Sequence, residues 1–407
     1  MTETVHIVGV GMTRFGVHNS LTVADLARSA VEDALGDSGT DLKRLDCVFF
    51  GNTTQSALEG QLMVAGQMAL RPLGLERAPI YNVENACATG ATALNLAIAQ
   101  IRAGIADIAL AVGVEKMNVG DRERSMAVFE GAYDVSEPEE LNHQLQQLGG
   151  AADTSEAGQR SIFMDIYAAF ARAHMKTFGT TQAQIAAVAA KNHRHATYNE
   201  RAHYRKPMTV DEVLNARALA FPLTVPMCSP LTDGAAAAIL CSDRALRSLS
   251  RHRAIQVLAS CVGSGVQRDV ADYTQHIARL TAERAYAVAG IAASDVDVAE
   301  VHDATAFGEV LMTEMLELCE LGGGGPAAEK GETTLGGRIP VNPSGGLESK
   351  GHPLAATGLG QVYELVQQLR GEVGARQVEG AMIGIAENGG GYYQGEEAVA
   401  AVTILGR

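Results

Sequence analysis

Apolar residues recur along this chain in two rhythms. Short, nearly unbroken runs suit strands buried on both faces, and they predict strands at Val5–Val10, Asp46–Phe50, Pro79–Val83 and Ile108–Val114. Between them the spacing becomes helical. Val23, Leu26, Ala27, Ala30 and Ala34 share one face of a helix predicted over Leu21–Leu35, with further helices over Leu58–Leu70 and Ala88–Ile101. A βαβαβαβ alternation of this kind argues for a layered α/β fold. The same grammar returns near the C-terminus, with strands at Ile255–Ala259, Val296–Val301, Ala381–Ala386 and Ala398–Leu405. Helices there are predicted over Thr281–Ala289, Phe307–Leu318 and His352–Leu369. Two halves with one element order imply an internal duplication, although no clean sequence repeat accompanies it. Such halves place a site at their shared interface.

The middle differs. Residues 115–225 read as a loop domain inserted between the halves, so that 1–245 forms the N-terminal half and 246–407 the C-terminal half. Helices are predicted within it at Ser161–Met175 and Thr181–Ala190, and the chain returns to the core with a strand at Ala235–Cys241. The polar stretch Tyr133–Glu156 has little capacity to form a core and reads as a lid, an excursion or a partner surface.

Composition narrows the function classes. The chain has 407 residues, 47% hydrophobic, with 44 glycines and a formal charge of −15. Global disorder is excluded by the hydrophobicity, and a nucleic-acid backbone finds no electrostatic footprint on so acidic a chain. The six cysteines are scattered without a CxxC, which argues against a disulfide framework or a cysteine zinc site. No apolar run approaches the length of a membrane helix, and no basic, apolar leader opens the sequence. A cytoplasmic protein is expected.

Cys87 is the first candidate for chemistry. It follows a predicted strand and opens a helix whose first residues are small, so orphan N–H groups and the helix dipole are expected to lower its pKa. A buried, inert cysteine is the alternative. His352, between Gly351 and Pro353 at a loop-to-helix junction, is placed to take the thiol proton, unless it only bonds backbone. His302 lies at the C-terminal end of a buried strand, where open α/β sheets place ligands. The glycines at 345, 346 and 351, and those at 389–391, can bring backbone N–H groups to a ligand or serve ordinary turns. His193 and His195 in KNHRHA point in different directions on a helix with no third ligand nearby, so no metal site is expected. Lys191, Arg194 and Arg201 form a basic patch in an acidic chain, for a polyphosphate or for solvent, and Ser349 is grouped with them as a cofactor contact.

Taken together, ENACATG around Cys87, SPLTDGAAA at 229–237, HDAT at 302–305 and GHPLAATG around His352 resemble the thiolase superfamily over essentially the whole chain. HDA, in place of an Asn-Glu-Ala motif, points to the sterol-carrier type and its bacterial thiolase-like relatives. The resemblance implies two βαβαβαββ halves in a five-layered α/β/α/β/α fold, with a loop domain that helps hold coenzyme A. Cys87 is then the acyl-accepting nucleophile and His352 its base. One oxyanion hole comes from His302 and His352, the other from the N–H groups of Cys87 and Gly389. No metal is implied. A homodimer is the usual unit.

One departure divides the readings. Thiolases carry a second, acid/base cysteine in a C-terminal Cys-x-Gly sequence, whereas this chain reads AENGGG there and has Ala304 at the alternative position after His-Asp. Glu387 is the expected substitute, its pKa raised by burial, or else a structural carboxylate. The resemblance extends to a branch that includes benzoylsuccinyl-CoA thiolases, which pair with a small OB-fold/zinc-ribbon protein. It implies thiolytic cleavage of a bulky β-ketoacyl-CoA, or the reverse Claisen condensation, with benzoylsuccinyl-CoA giving benzoyl-CoA and succinyl-CoA. Another acyl transfer, a retro-aldolase of the steroid side-chain type and a non-catalytic acyl-CoA or lipid-binding subunit are the alternatives.

Overall fold

A computed structural model of the chain describes residues 3–149, 160–249 and 251–407. Among them are the strands β1 (Val5–Met12), β2 (Cys47–Gly51), β3 (Ile80–Val83), β4 (Ile108–Glu115), β5 (Ala218–Ala220) and β6 (Leu223–Thr224). They are followed by β7 (Gly234–Ser242), β8 (Ile255–Gly263), β9 (Val298–Glu300), β10 (Ile383–Gly390) and β11 (Val399–Gly406). Nine of these form one mixed sheet in the order β3-β2-β4-β7-β1-β8-β11-β10-β9, and β5 and β6 form a separate ribbon.

The order explains itself at the junction. β1 and β8 pair antiparallel over only His6↔Gln256 and Ile7↔Ile255. Outward from that seam the halves run β1-β7-β4-β2-β3 and β8-β11-β10-β9. Val341, bridged in parallel to Ala299 of β9, stands where the fifth strand of the second half belongs. The duplication expected from element order is present in the topology.

Helices complete five layers. The helix Val23–Ser38 begins at a Thr22–Asp25 capping box and ends at Gly39 in the left-handed region. Its apolar stripe packs in one outer core with β4 and β7. The helices Thr89–Arg102 and Thr357–Arg370 share the central core with strands of both halves. The helices Ile277–Ala289 and Ala306–Met315 cover the far side. The layering is α/β/α/β/α. Close approach at the centre depends on glycine, because a Cβ on Gly90 or Gly113 would stand 2.5 or 2.0 Å from the Ala355 carbonyl oxygen.

Between β4 and β7 lie the helices Ile162–Phe178 and Gln182–Ala196, extending the two predicted ones. Residues 150–156 of the polar stretch lie outside the described residues. Its earlier part is not coreless: the helix Pro138–Gly149 sets Leu141 and Leu145, one turn apart, against Ile166, Ala169 and Tyr392. Two leucines at i and i+4 suffice to dock a polar helix. The predicted helix over Leu58–Leu70 is two short ones, Gln55–Glu59 and Ala65–Leu70, broken at Gly60 in the left-handed region. No helix among the described residues is long and apolar enough to cross a membrane.

Candidate active site

Cys87 sits in a tight turn, Ala86–Ala88, between β3 and the helix Thr89–Arg102. Ala86 takes φ +48°, a conformation an alanine adopts only when its surroundings hold it there. They do so at both ends. Its N–H donates to Glu84 Oε1 at 2.6 Å, and its carbonyl accepts from Thr89 Oγ1 at 2.6 Å and Thr53 Oγ1 at 3.2 Å.

His352 reaches the same point from the second half. Its N–H donates to Thr232 Oγ1 at 2.8 Å, and its Nδ1 lies 2.7 Å from Thr357 Oγ1. The Thr357 hydroxyl gives its own proton to the Pro353 carbonyl at 3.2 Å. The network therefore assigns the hydrogen of His352 to Nδ1 and leaves Nε2 as a bare acceptor. His302, at the end of β9, brings its Nε2 to 3.5 Å from His352 Nε2. The Cys87 sulfur and one nitrogen of each histidine all lie within 4.8 Å of one another.

The electrostatics set the resting state. Burial pushes the Cys87 thiol up to about 12, and the nearby Glu115 and Glu84 charges push in the same direction. This corrects the lowering expected from the helix N-terminus, because desolvation of the thiolate outweighs the N–H groups facing it. Burial also lowers His352 well below its usual value and His302 to about 4. The resting pair is thus a neutral thiol beside a neutral imidazole.

The N–H groups at the sulfur are those of Cys87 itself and Gly391. Gly389, expected in that role, pairs with Ala400 and presents its α-carbon face to Glu397 and His302. Gly390 is the residue in closest approach, since a Cβ there would stand 2.4 Å from the Asn85 carbonyl oxygen and 2.8 Å from the Ala88 nitrogen. Glu387 is fully buried and raised to about 8, first by burial and then by Glu397. The direction is the expected one, but the placement is not that of a group facing substrate. Its Oε2 accepts the His302 backbone N–H at 3.0 Å, and it does not line the cavity.

Cys87 and His352 open into a cavity of about 1470 Å³. Met126, Phe129, Phe163, Met164, Met208 and Leu219 give it apolar walls, and Arg122 and Lys206 add cations. The residues expected to bind the cofactor's phosphates are elsewhere. Lys191 is buried, 2.6 Å from Glu309 Oε1 and 2.6 Å from the Val341 carbonyl. Ser349 is fully buried, and Arg194 is exposed away from the cavity. Arg201 is held by Asp33 and Met12 and lies over the Tyr363 ring. The reason is local: Lys191 and Arg201 meet carboxylates of the fold before they could meet a ligand. His193 lines the cavity and donates to the Pro226 carbonyl, whereas His195 is spent between Asn342 O and Leu335 N.

Three supporting residues escaped the sequence reading. Glu115 ends the apolar strand β4 and collects N–H groups from Thr53, Thr54 and Ala355; a carboxylate closing a buried strand was the available signal. Thr357 was visible in AATG, five residues after His352. Glu397 had no signal, because its place beside the bare α-carbon of Gly389 is set by the pairing of β10 with β11.

A half-buried cysteine beside a neutral imidazole, set between two duplicated α/β halves, is the arrangement of an acyltransferase of the thiolase type. Residues 5–219 match the thiolase N-terminal domain and residues 262–407 the thiolase C-terminal domain-like family. The chain is 38% identical to "Acetyl-CoA acetyltransferase" of Methanothermobacter thermautotrophicus, over 95% of this chain and 96% of that one. It is 36% identical to "Sterol carrier protein 2" of Bos taurus, over 95% of this chain and 70% of the relative. "Benzoylsuccinyl-CoA thiolase subunit BbsB" of Thauera aromatica is 33% identical, over 93% and 92% of the two chains. Among solved structures, "Ltp2-ChsH2(DUF35) aldolase" superposes with a TM-score of 0.80 at 21% identity, covering 100% of this chain and 98% of that one. Human mitochondrial 3-ketoacyl-CoA thiolase in complex with CoA gives 0.72 at 18% identity, covering 99% and 98%. The chain belongs to the thiolase family, and its chemistry is CoA-dependent acyl transfer with coenzyme A as substrate.

Proposed function

We propose that this enzyme cleaves a bulky β-ketoacyl-CoA by thiolysis, with benzoylsuccinyl-CoA as substrate and benzoyl-CoA and succinyl-CoA as products. Run backwards, the same steps are a Claisen condensation. The observation that carries the reading is the union of Cys87 and His352 in one large cavity with aromatic and methionine walls. Short acyl groups leave such walls bare, whereas an aryl ketone covers them. The relative named as a benzoylsuccinyl-CoA thiolase subunit supports the acyl group. Arg122 and Lys206, both exposed and lining the cavity, take the phosphates of CoA in this reading.

In the first half-reaction the Cys87 proton passes to His352 Nε2 and the sulfur attacks the keto carbon. The carbon–carbon bond then breaks, leaving an acyl group on Cys87. The N–H groups of Cys87 and Gly391 steady the thioester oxygen. Free CoA collects the acyl group in the second half. The working unit in this reading is a cytoplasmic homodimer joined along the edge strand β3, beside which Leu62, Met63, Met68 and Tyr81 are exposed. The likeness to the "Ltp2-ChsH2(DUF35) aldolase", whose name joins two components, supports an OB-fold/zinc-ribbon protein as a further partner.

The test is intact-mass spectrometry after brief incubation with benzoylsuccinyl-CoA and no free CoA, for wild type and Cys87→Ala. A benzoyl adduct on wild type alone, removed by CoA, is expected. An adduct only with other β-ketoacyl-CoAs would replace the substrate. Carbon–carbon cleavage that survives Cys87→Ala would instead assign a retro-aldolase.

A further inference from the structure

β10 separates two compartments. The faces of Asn388 and Gly390 turn toward the helix starts, with Gly358 and Ala91 beside Asn388 and the Cys87 turn beside Gly390. The faces of Glu387 and Gly389 turn the other way, toward Glu397 and His302. A Cβ on Gly389 would stand 3.3 Å from the Glu397 carboxyl carbon and 3.3 Å from His302 Nδ1. Glu397 Cγ would be nearer still, at 2.6 Å, so the bare α-carbon of Gly389 lets the Glu397 side chain pack beside the His302 imidazole. His302 Nδ1 and Glu397 Oε2 are both buried and make no hydrogen bond, and the nearest ion-pairing group to Oε2 is His276 Nε2 at 3.5 Å. Unpaired polar atoms on neighbouring buried side chains call for a proton or a water between them.

The reaction needs such a proton. The fragment that departs from the acyl-Cys87 bond leaves as a carbanion equivalent and must gain a hydrogen at carbon, while His352 is occupied with the Cys87 proton. We propose that Glu397 stores that hydrogen and passes it, across the bare α-carbon of Gly389, to His302 Nδ1 as His302 Nε2–H protonates the leaving carbon. This rests on the thiolysis reading. His302 is the connector because its Nε2 faces His352 and Cys87 while its Nδ1 faces the carboxyl chamber. In the second half-reaction the thiol of CoA gives its proton to His302 Nε2, and the Nδ1 proton returns to Glu397. The hydrogen of CoA ends on the released carbon, and the protein is unchanged.

The surroundings keep Glu397 protonated near neutrality. Burial raises it to about 7, and Glu396 adds to the effect. Arg268 opposes it but is spent on Glu396 at 2.7 Å. His276 faces it at 3.5 Å through Nε2, which carries the hydrogen because Nδ1 accepts the Ala278 N–H. Burial lowers His276 to about 3, so it brings no charge. The Glu397 charge also raises Glu387, and the Tyr167 hydroxyl, raised first by burial, is pushed further by both carboxylate charges.

Glu397 acts through His302, so its test must separate a proton relay from a structural role. Wild type, Glu397→Gln and Glu397→Asp are compared for exchange of the α-protons of acetyl-CoA and of succinyl-CoA in D2O, followed by mass. Iodoacetamide alkylation of Cys87 is read on the same samples. Glu397→Gln should slow exchange by roughly 10²-fold or more, the usual contribution of a general acid, with alkylation within about twofold of wild type. Glu397→Asp should recover at least about tenfold of the lost exchange, because a shorter carboxyl still holds a proton beside His302. Exchange at the wild-type rate in Glu397→Gln overturns the relay, as does equal loss in both variants. Wild type that exchanges neither probe removes the step and the proposal with it. A Cys87 adduct with benzoylsuccinyl-CoA alongside unchanged exchange in Glu397→Gln sinks the relay alone; exchange without any adduct sinks the thiolysis reading.

Discussion

The two helices that meet at the centre of the molecule begin alike and end up doing different work. Thr89–Arg102 follows the turn Ala86–Ala88, and Thr357–Arg370 follows the turn Leu354–Ala356. Each opens with Ala-Thr-Gly, at 88–90 and 356–358. In the first half the Thr89 hydroxyl accepts the Asn85 N–H at 2.8 Å and donates to Ala86 O, so it fixes backbone. In the second half Thr357 accepts from the His352 ring and donates to Pro353 O, so it fixes a tautomer. The glycines interlock: a Cβ on Gly90 would meet Ala355 O, and one on Gly358 would stand 2.7 Å from the Ala91 nitrogen. A duplicated helix start therefore carries Cys87 in one half and His352 in the other, and the packing of the two starts brings them together.

The sharpest way to break this comparison is to remove one partner from each half. Cys87→Ser should abolish the acyl adduct, whereas His352→Gln should keep the thiol and lower kcat by roughly 10²–10⁴-fold, the range for a general base. Iodoacetamide kinetics distinguish them, since His352→Gln should also slow alkylation. If alkylation is unchanged, His352 is not the base. Gly390→Ala comes next, because its Cβ meets backbone atoms on Asn85 and Ala88 that cannot swing aside. Turnover should be lost and stability reduced by about 1–3 kcal/mol, read from denaturant melts. Gly36, in the helix Val23–Ser38 with nothing within 4 Å, is the control; Gly36→Ala should stabilise by about 0.5–1 kcal/mol.

The threonines sharpen the comparison further. Thr357→Val leaves His352 free to carry its hydrogen on Nε2, so kcat should fall by roughly tenfold, in line with a hydrogen bond of about 1 kcal/mol. Thr89→Val removes backbone bonds around Ala86 and should lower the melting temperature more than Thr357→Val does. Equal melting shifts with no difference in kcat would mean that both hydroxyls serve only the fold.

Where a pattern is local, the sequence was enough. The runs Val5–Val10 and Ile108–Val114 and the helical stripe from Val23 to Ala34 lie inside β1, β4 and Val23–Ser38, because burial on two faces or one leaves its period in the chain. The order of elements likewise announced the duplication, while the five layers were implied by the family resemblance. The site was legible by residue type at Cys87, His302 and His352, which the fold does bring together. What the sequence could not show is direction across a strand. Glu387 and Gly389 share a face of β10 that turns toward Glu397, so adjacency in AENGGG says nothing of which residue meets the thiol. Lys191 shows the same limit for charge, because its partner Glu309 is more than a hundred residues away.

Two buried carboxylates on equivalent strands, one at the strand's end and one inside it, carry the finest test. Glu115 ends β4 and accepts five hydrogen bonds, from Asn52, Thr53, Ala355 and two groups of Thr54, whereas the Glu387 carboxyl on β10 accepts one, from His302. Burial raises Glu115 to about 7 and Glu387 to about 8. A carboxyl raised in the folded state holds a proton that the unfolded chain has already lost. Each group's contribution to stability therefore falls as pH rises from the unfolded value to the folded one, and is constant above it. Glu387→Gln keeps an oxygen for the His302 N–H and removes the titration. Its melting temperature should exceed that of wild type by a few degrees above pH 8, with the gap closing toward pH 4. Glu115→Gln should do the opposite, because the new NH2 faces N–H donors. It should lose about 1–3 kcal/mol for donors left unpaired in the interior, at every pH where the protein folds. Melting curves from pH 4 to 9 decide the matter, and parallel losses in the two variants would show that the two carboxylates are held alike.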